Sequence, residues 1–75
     1  MIGFQTASST YYVDTVNRTI CGGKLGNHKR RYAVGAQFII GMPGVAYFVD
    51  EWDRPIIMKD GRQEMIKTGA IRNYI

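Results

Sequence analysis

The sequence predicts an all-β fold, a small antiparallel barrel of SH3-like type with seven or eight short strands, and three observations carry that prediction. Ile, Val, Tyr and Thr are abundant, while leucine, a common residue of helical cores, occurs once, as Leu25. β-Branched and aromatic side chains suit a pleated surface. No window of helical length repeats apolar residues three and four apart without an interrupting Gly or Pro, whereas short apolar runs bounded by turn residues recur throughout. With no helix to make crossovers, antiparallel pairing is the practical arrangement, and a closed or nearly closed barrel leaves the fewest edges. The alternative is a two-sheet β roll that dimerises through an exposed edge.

At 75 residues the chain is read as one domain, residues 1–75, near the size at which only about 60% of the unfolded surface can be buried. Cys21 is the single cysteine, so no intrachain disulfide adds stability and self-association into a homo-oligomer is expected. The opening Met-Ile-Gly-Phe-Gln-Thr has neither the basic start nor the apolar segment of a signal peptide, and no apolar run approaches bilayer length. The expectation is a cytoplasmic protein without a membrane partner.

The first run, Ile2-Gly3-Phe4-Gln5-Thr6, places Ile2 and Phe4 on one face at period two. Ala7-Ser8-Ser9 reads as a turn, and Thr10-Tyr11-Tyr12-Val13-Asp14 as the second strand of a hairpin. Thr15-Val16-Asn17 offers another turn, with Asn17 the residue most tolerant of left-handed geometry, before a third strand at Arg18-Thr19-Ile20-Cys21. Tyr32-Ala33-Val34 begins a further strand. Gln37 to Asp50 is the densest apolar stretch, broken at Gly41-Met42-Pro43-Gly44, and reads as two buried strands around a tight connection. Val45 to Val49 carries apolar residues on both faces, as in a central strand or one with a subunit contact. Asp60-Gly61 between Ile56-Ile57-Met58-Lys59 and Arg62-Gln63-Glu64-Met65-Ile66 predicts a two-residue type I′ hairpin that faces Ile56 with Met65 and Met58 with Gln63. Lys67-Thr68-Gly69 reads as a turn and Ala70 to Ile75 as the last strand.

Thr6, Ser9, Tyr11, Val13 and Asp14, followed by Asn17 and Ile20, resemble the opening of small uncharacterised proteins encoded by phages and actinobacteria, with an echo in Thr68-Gly69-Ala70-Ile71. The resemblance covers about the first quarter of the chain. It implies a phage origin, and hence a host cytoplasm as compartment, and brings no activity with it.

Five basic residues fall between Arg18 and Arg31 with no acid among them, interleaved with Gly22, Gly23 and Gly26. Glycines free backbone N–H groups to face an anion, and Lys and Arg can complete such a site. The candidate ligand or partner residues are therefore Lys24, Asn27, His28, Lys29, Arg30, Arg31 and Tyr32, together with the lone tryptophan, Trp52. Gly22 and Gly26 do not have Walker spacing and no Lys-Ser or Lys-Thr follows. The competing reading is a flexible, solvated hairpin loop whose charges aid solubility. As exposed charges, Lys29, Arg30 and Arg31 should be replaceable together by Ser with the melting curve nearly unchanged, within about 0.5 kcal/mol, and with binding to an anionic partner abolished.

Asp50, Glu51 and Asp53 gather around Trp52, but their spacing lacks the EF-hand pattern and His28 has no second imidazole, so no metal site or cofactor is expected. Cys21 and His28 lie in no catalytic motif, and so small a barrel has little room for a water-excluding pocket. The expected function is a non-enzymatic binding protein, an accessory or inhibitor that engages a host protein or a small phosphorylated ligand through Trp52, Tyr47 and the basic loop. The alternative is nucleic-acid binding, in which the loop follows phosphates and Tyr11, Tyr12 or Tyr32 stacks on bases.

Overall fold

The computed structural model describes all 75 residues as an all-β protein of two antiparallel sheets. The strands are β1 (Ile2–Gln5), β2 (Thr10–Asp14), β3 (Thr19–Gly22), β4 (Arg30–Arg31), β5 (Pro43–Tyr47), β6 (Met65–Ala70) and β7 (Asn73–Tyr74). The first sheet has the order β4-β3-β2-β1-β7, and β5 and β6 pair as the second. A single turn of 3-10 helix, Gly23–Leu25, follows β3. No helix is long and apolar enough to cross a membrane.

The opening meander forms as its alternation predicts. Phe4 pairs with Tyr11 and Val13 with Ile20 across neighbouring strands, and all four side chains point into the core. The core cluster adds Tyr32, Ala46, Phe48, Ile66 and Ile71, so both sheets contribute to it. Phe4 stacks on Tyr11 and on Phe38 at centroid distances of 5.2 and 5.5 Å, while Tyr32 meets Phe38 edge-on at 5.7 Å. Offset and edge-on contacts of this kind add to the stabilisation from burial.

The sheets connect at two places. The backbone N–H groups of Ala33 and Val49 donate to the carbonyls of Tyr47 and Arg31 at 2.7 and 3.0 Å, which continues β4 against the end of β5. At the other end, β6 leaves β5 and the chain turns at Ile71, whose N–H donates to Met42 O at 3.1 Å. The N–H groups of Arg72 and Ile75 then donate to Gln5 O and Gly3 O at 2.8 and 2.9 Å, so the C-terminal segment is docked on β1.

Several expected elements are corrected. Gln37 to Ile40 is not a strand: Gln37 and Ile40 make single bridges to Val45 and Ile71, only Phe38 packs on the core, and Ile39, Ile40 and Met42 are exposed. Gly41 turns the chain, but Pro43 and Gly44 lie inside β5, with proline at the strand's start where its missing N–H is tolerated. Lys67-Thr68-Gly69 is not a turn but the middle of β6. The buried Thr68 hydroxyl accepts the Gly44 N–H at 2.8 Å and holds that stretch to β5. In the turn before β3 the left-handed residue is Arg18, at φ 53°, rather than Asn17. Asn17 is held by the Asp14 carboxylate, which accepts its backbone and side-chain N–H groups at 3.1 and 2.9 Å.

The Asp60-Gly61 hairpin forms with a three-residue connection in place of the type I′ turn. Gly61 N–H donates to Met58 O at 3.0 Å and Met58 N–H to Arg62 O at 2.8 Å, with Gly61 in the left-handed position at φ 85°. The pairing shifts by one residue, so that Ile57 faces Gln63 and Glu64 N–H donates to Ile56 O at 2.8 Å. In this connection the Asp60 carboxylate accepts the Arg62 backbone and Nε hydrogens at 3.0 and 2.7 Å. Of the expected core face, Ile56 packs inward while Met58 and Met65 remain exposed.

Gly22 and Gly61 both have positive φ, yet only one is confined. A Cβ on Gly22 would sit 2.5 Å from Thr10 O, whereas Gly61 opens to solvent. Gly61→Ala should cost only the left-handed strain, about 1–2 kcal/mol, and Gly22→Ala distinctly more because β2 must shift as well. Urea unfolding midpoints measure the difference, and equal losses would mean that the crowding at Gly22 is relieved at no cost.

Candidate functional site

The structure divides the predicted basic segment into two parts. Lys24 lies in the 3-10 turn, Asn27, His28 and Lys29 follow it, and all four side chains are exposed. Arg30 instead makes a bidentate contact with Glu64 at 2.9 and 2.8 Å, its guanidinium carbon 3.9 Å from the centre of the Phe48 ring. Arg31 reaches Asp53 at 3.2 Å, and Arg18 reaches the same carboxylate at 2.6 Å. Tyr32 is 4% exposed and belongs to the core. Arg30 and Arg31 are thus each bonded to a distant carboxylate, Arg30 in a half-buried pair and Arg31 in an exposed one, and are not simply solvated loop charges. Tyr11 is buried as well, which leaves Tyr12 as the exposed member of the three tyrosines expected to stack on bases.

The acidic segment is explained by the same contacts. Asp50 accepts the Trp52 and Arg54 backbone N–H groups, each at 2.9 Å, and pairs with Arg54 Nε at 2.9 Å. This folds the loop and leaves Trp52 66% exposed, with the Arg54 guanidinium 4.8 Å from its ring centre. Burial pulls the Asp50 carboxyl upward, but the hydrogen bonds from Arg54 and Trp52 outweigh it and the net shift is downward. Arg18, then Arg31, holds Asp53 below the usual carboxylate range, and the Arg30 hydrogen bonds do the same for Glu64. No three His, Cys, Asp or Glu side chains converge as a metal-binding group.

An apolar surface lies elsewhere, on the outer face of the β5–β6 pair. Ala46 and Ile66 face the core, so their neighbours Val45 and Tyr47, and across the ladder Lys67 and Met65, face outward in register. Beside them the irregular segments contribute Val34, Ile39 and Met42, forming a depression of about 400 Å³. Tyr47 also borders a second depression of about 470 Å³ with Met58 and Met65. The three side chains Tyr47, Met58 and Met65 are each 46% exposed. The two-faced apolar pattern of Val45 to Val49 was the sequence signal for this surface. Its methionine flanks are not legible in the sequence, because the register of a two-residue turn puts Met58 and Met65 on the core face and the hairpin adopts another.

Comparison with protein-family models, with curated proteins and with solved structures gives no match. The chemistry of the site therefore rests on its own geometry.

The clamp and the loop charges separate by mutation and by pH. Arg30→Ser should lower stability by about 1–2 kcal/mol, from the lost bidentate pair and the contact with Phe48, while Lys29→Ser should stay within about 0.5 kcal/mol. Glu64 and Asp53 titrate lower when folded than unfolded. Their contribution is full above the ordinary carboxylate pKa, near about 4, and is lost as pH falls through the folded values. Melting curves from pH 7 to pH 2 should show a shallower acid loss for Glu64→Gln than for the parent, and identical slopes would count against the clamp.

Proposed function

We propose that this protein is a non-enzymatic binding module, a small SH3-like barrel whose outer β5–β6 face docks an acidic partner protein. The hydrogen bonds from Ala33 to Tyr47 and from Val49 to Arg31, with the passage of β6 into β7, support the barrel reading because they join the two sheets at both ends. The observation that carries the docking reading is the continuous outward surface around Tyr47, Met65, Met58 and Met42. Aromatic and methionine side chains are favoured at recognition surfaces, the first for area at low entropic cost and the second for adaptability.

Charge selects the partner. Lys67 lies in the same outward row and Lys59 caps the hairpin beside Met58, and neither is in an ion pair. With a net charge of +4, a second copy of the chain would bring like charges together at this face, whereas carboxylates flanking an apolar anchor are complementary to it. The nucleic-acid reading has weaker support, since Arg30 and Arg31 are held by carboxylates and Tyr11 and Tyr32 lie in the core.

Selection from a displayed random-peptide library, with counter-selection on Tyr47→Ala, tests the proposal. Enriched peptides should carry apolar or aromatic anchors flanked by Asp or Glu, and a synthetic copy should lose about 2 kcal/mol of binding to Tyr47→Ala, as expected of an interface anchor. Basic or uncharged peptides, or equal binding to the variant, would refute it. So would light scattering that shows a dimer dissociated by Tyr47→Glu, which would give the face to a second copy, or salt-sensitive retention of a random oligonucleotide that depends on Lys24 and Lys29.

A further inference from the structure

The turn between β1 and β2, Thr6-Ala7-Ser8-Ser9, and the first residue of β2, Thr10, together carry four hydroxyls. The turn is held by its own groups: Thr6 N–H donates to Ser9 O at 2.9 Å, and the Thr6 hydroxyl accepts Ser9 N–H at 3.2 Å and donates to Ser9 O at 3.4 Å, which leaves the Ser8, Ser9 and Thr10 hydroxyls to donate elsewhere. On the adjoining strands Gln5 lies opposite Thr10 on one side and Asn73 on the other. Directly opposed residues of an antiparallel ladder project to one face. Because Phe4 and Tyr11 next to them point into the core, the row Thr10, Gln5, Asn73 points outward. Arg72 is placed beside this row by its N–H bond to Gln5 O at 2.8 Å.

These residues line an open depression of about 650 Å³ in which Ala7 is the one apolar residue and no carboxylate is present. Five of the six arginines are in ion pairs, and Arg72 is the exception. Its planar fork is suited to two oxygens of one oxyanion. Hydroxyls can donate to the same group, and the Gln5 and Asn73 amides both donate and accept, which suits hydroxyls on an attached organic portion. The space lies within the roughly 300–1,000 Å³ range of small-molecule sites, more than a bare ion requires.

From this arrangement we infer that the depression is a binding site for a small phosphate monoester, with the phosphoryl group on Arg72 and the turn hydroxyls and the organic portion along Gln5 and Asn73. It is separate from the docking face, so either reading can fail alone. The test follows backbone amide resonances at low ionic strength during titration with glycerol 3-phosphate and, separately, inorganic phosphate. Glycerol 3-phosphate should shift Ser8, Ser9 and Arg72, bind roughly tenfold or more tightly than inorganic phosphate, and weaken roughly tenfold or more in Arg72→Gln. Ser8→Ala, at an exposed turn position, should weaken it less, and Tyr47→Ala should leave it unchanged. Equal affinity for the two anions would mean an adventitious ion only and would overturn the inference. It is also overturned if no resonances shift, if the shifts centre on Lys24 and Lys29, or if Arg72→Gln binds as the parent does.

Discussion

The seam between the two sheets depends on Arg30. Its backbone lies in β4, at the edge of the first sheet, while its guanidinium covers Phe48 and bonds both oxygens of Glu64 just before β6. Phe48 N–H in turn donates to Glu64 O at 2.9 Å, so one side chain and one backbone bond fasten the same three segments. The short β4 ladder is extended here by the bonds from Ala33 N–H to Tyr47 O and from Val49 N–H to Arg31 O, and the Arg30 side chain works alongside them. The charge-assisted fork adds direction to the junction, and the aromatic face excludes water from one side of the pair.

The same division of labour runs through all the basic residues. Every ion-paired cation is an arginine, and all four lysines are unpaired. The rigid guanidinium loses less freedom per hydrogen bond than the flexible ammonium and fits a carboxylate with two donors, so it serves contacts that fix geometry. The lysines are all exposed, keep their hydration and leave their charge at the surface. Arg18 and Arg31, which share Asp53, extend the pattern by tying the turn before β3 to the loop that presents Trp52.

The exposed surface follows from what this scaffold leaves outside its core. Once the inward residues of β5 and β6 have filled the core, the period of two places Tyr47 and Met65 in solvent side by side. The irregular chain from Val34 to Met42 packs only Phe38 and Ala36 inward and leaves its other apolar residues beside them. The polar depression at Arg72 arises where β6 hands over to β7 and the chain exchanges one sheet for the other.

Alternation in β1 to β3 was legible in the sequence because each inward residue is set by its own strand, and Phe4, Tyr11, Val13 and Ile20 are buried as the period requires. The apolar run from Gln37 to Ile40 misled because hydrophobicity does not say whether a segment finds a ladder partner, and the edge beside β5 admits only single bridges there. Asp-Gly marked the hairpin but not its register, which in the fold has a three-residue connection with Asp60 bonded to Arg62. Likewise, the basic run from Lys24 to Arg31 was visible as charge, yet which cations stay free depended on carboxylates 22 and 34 residues away in the chain. By itself the sequence determined the all-β class, the opening meander and the positive charge, since these follow from local pattern and composition. The tertiary structure decided which arginines became clamps, which methionines reached the surface and where the surface depressions lie, because each depends on a partner distant in the chain.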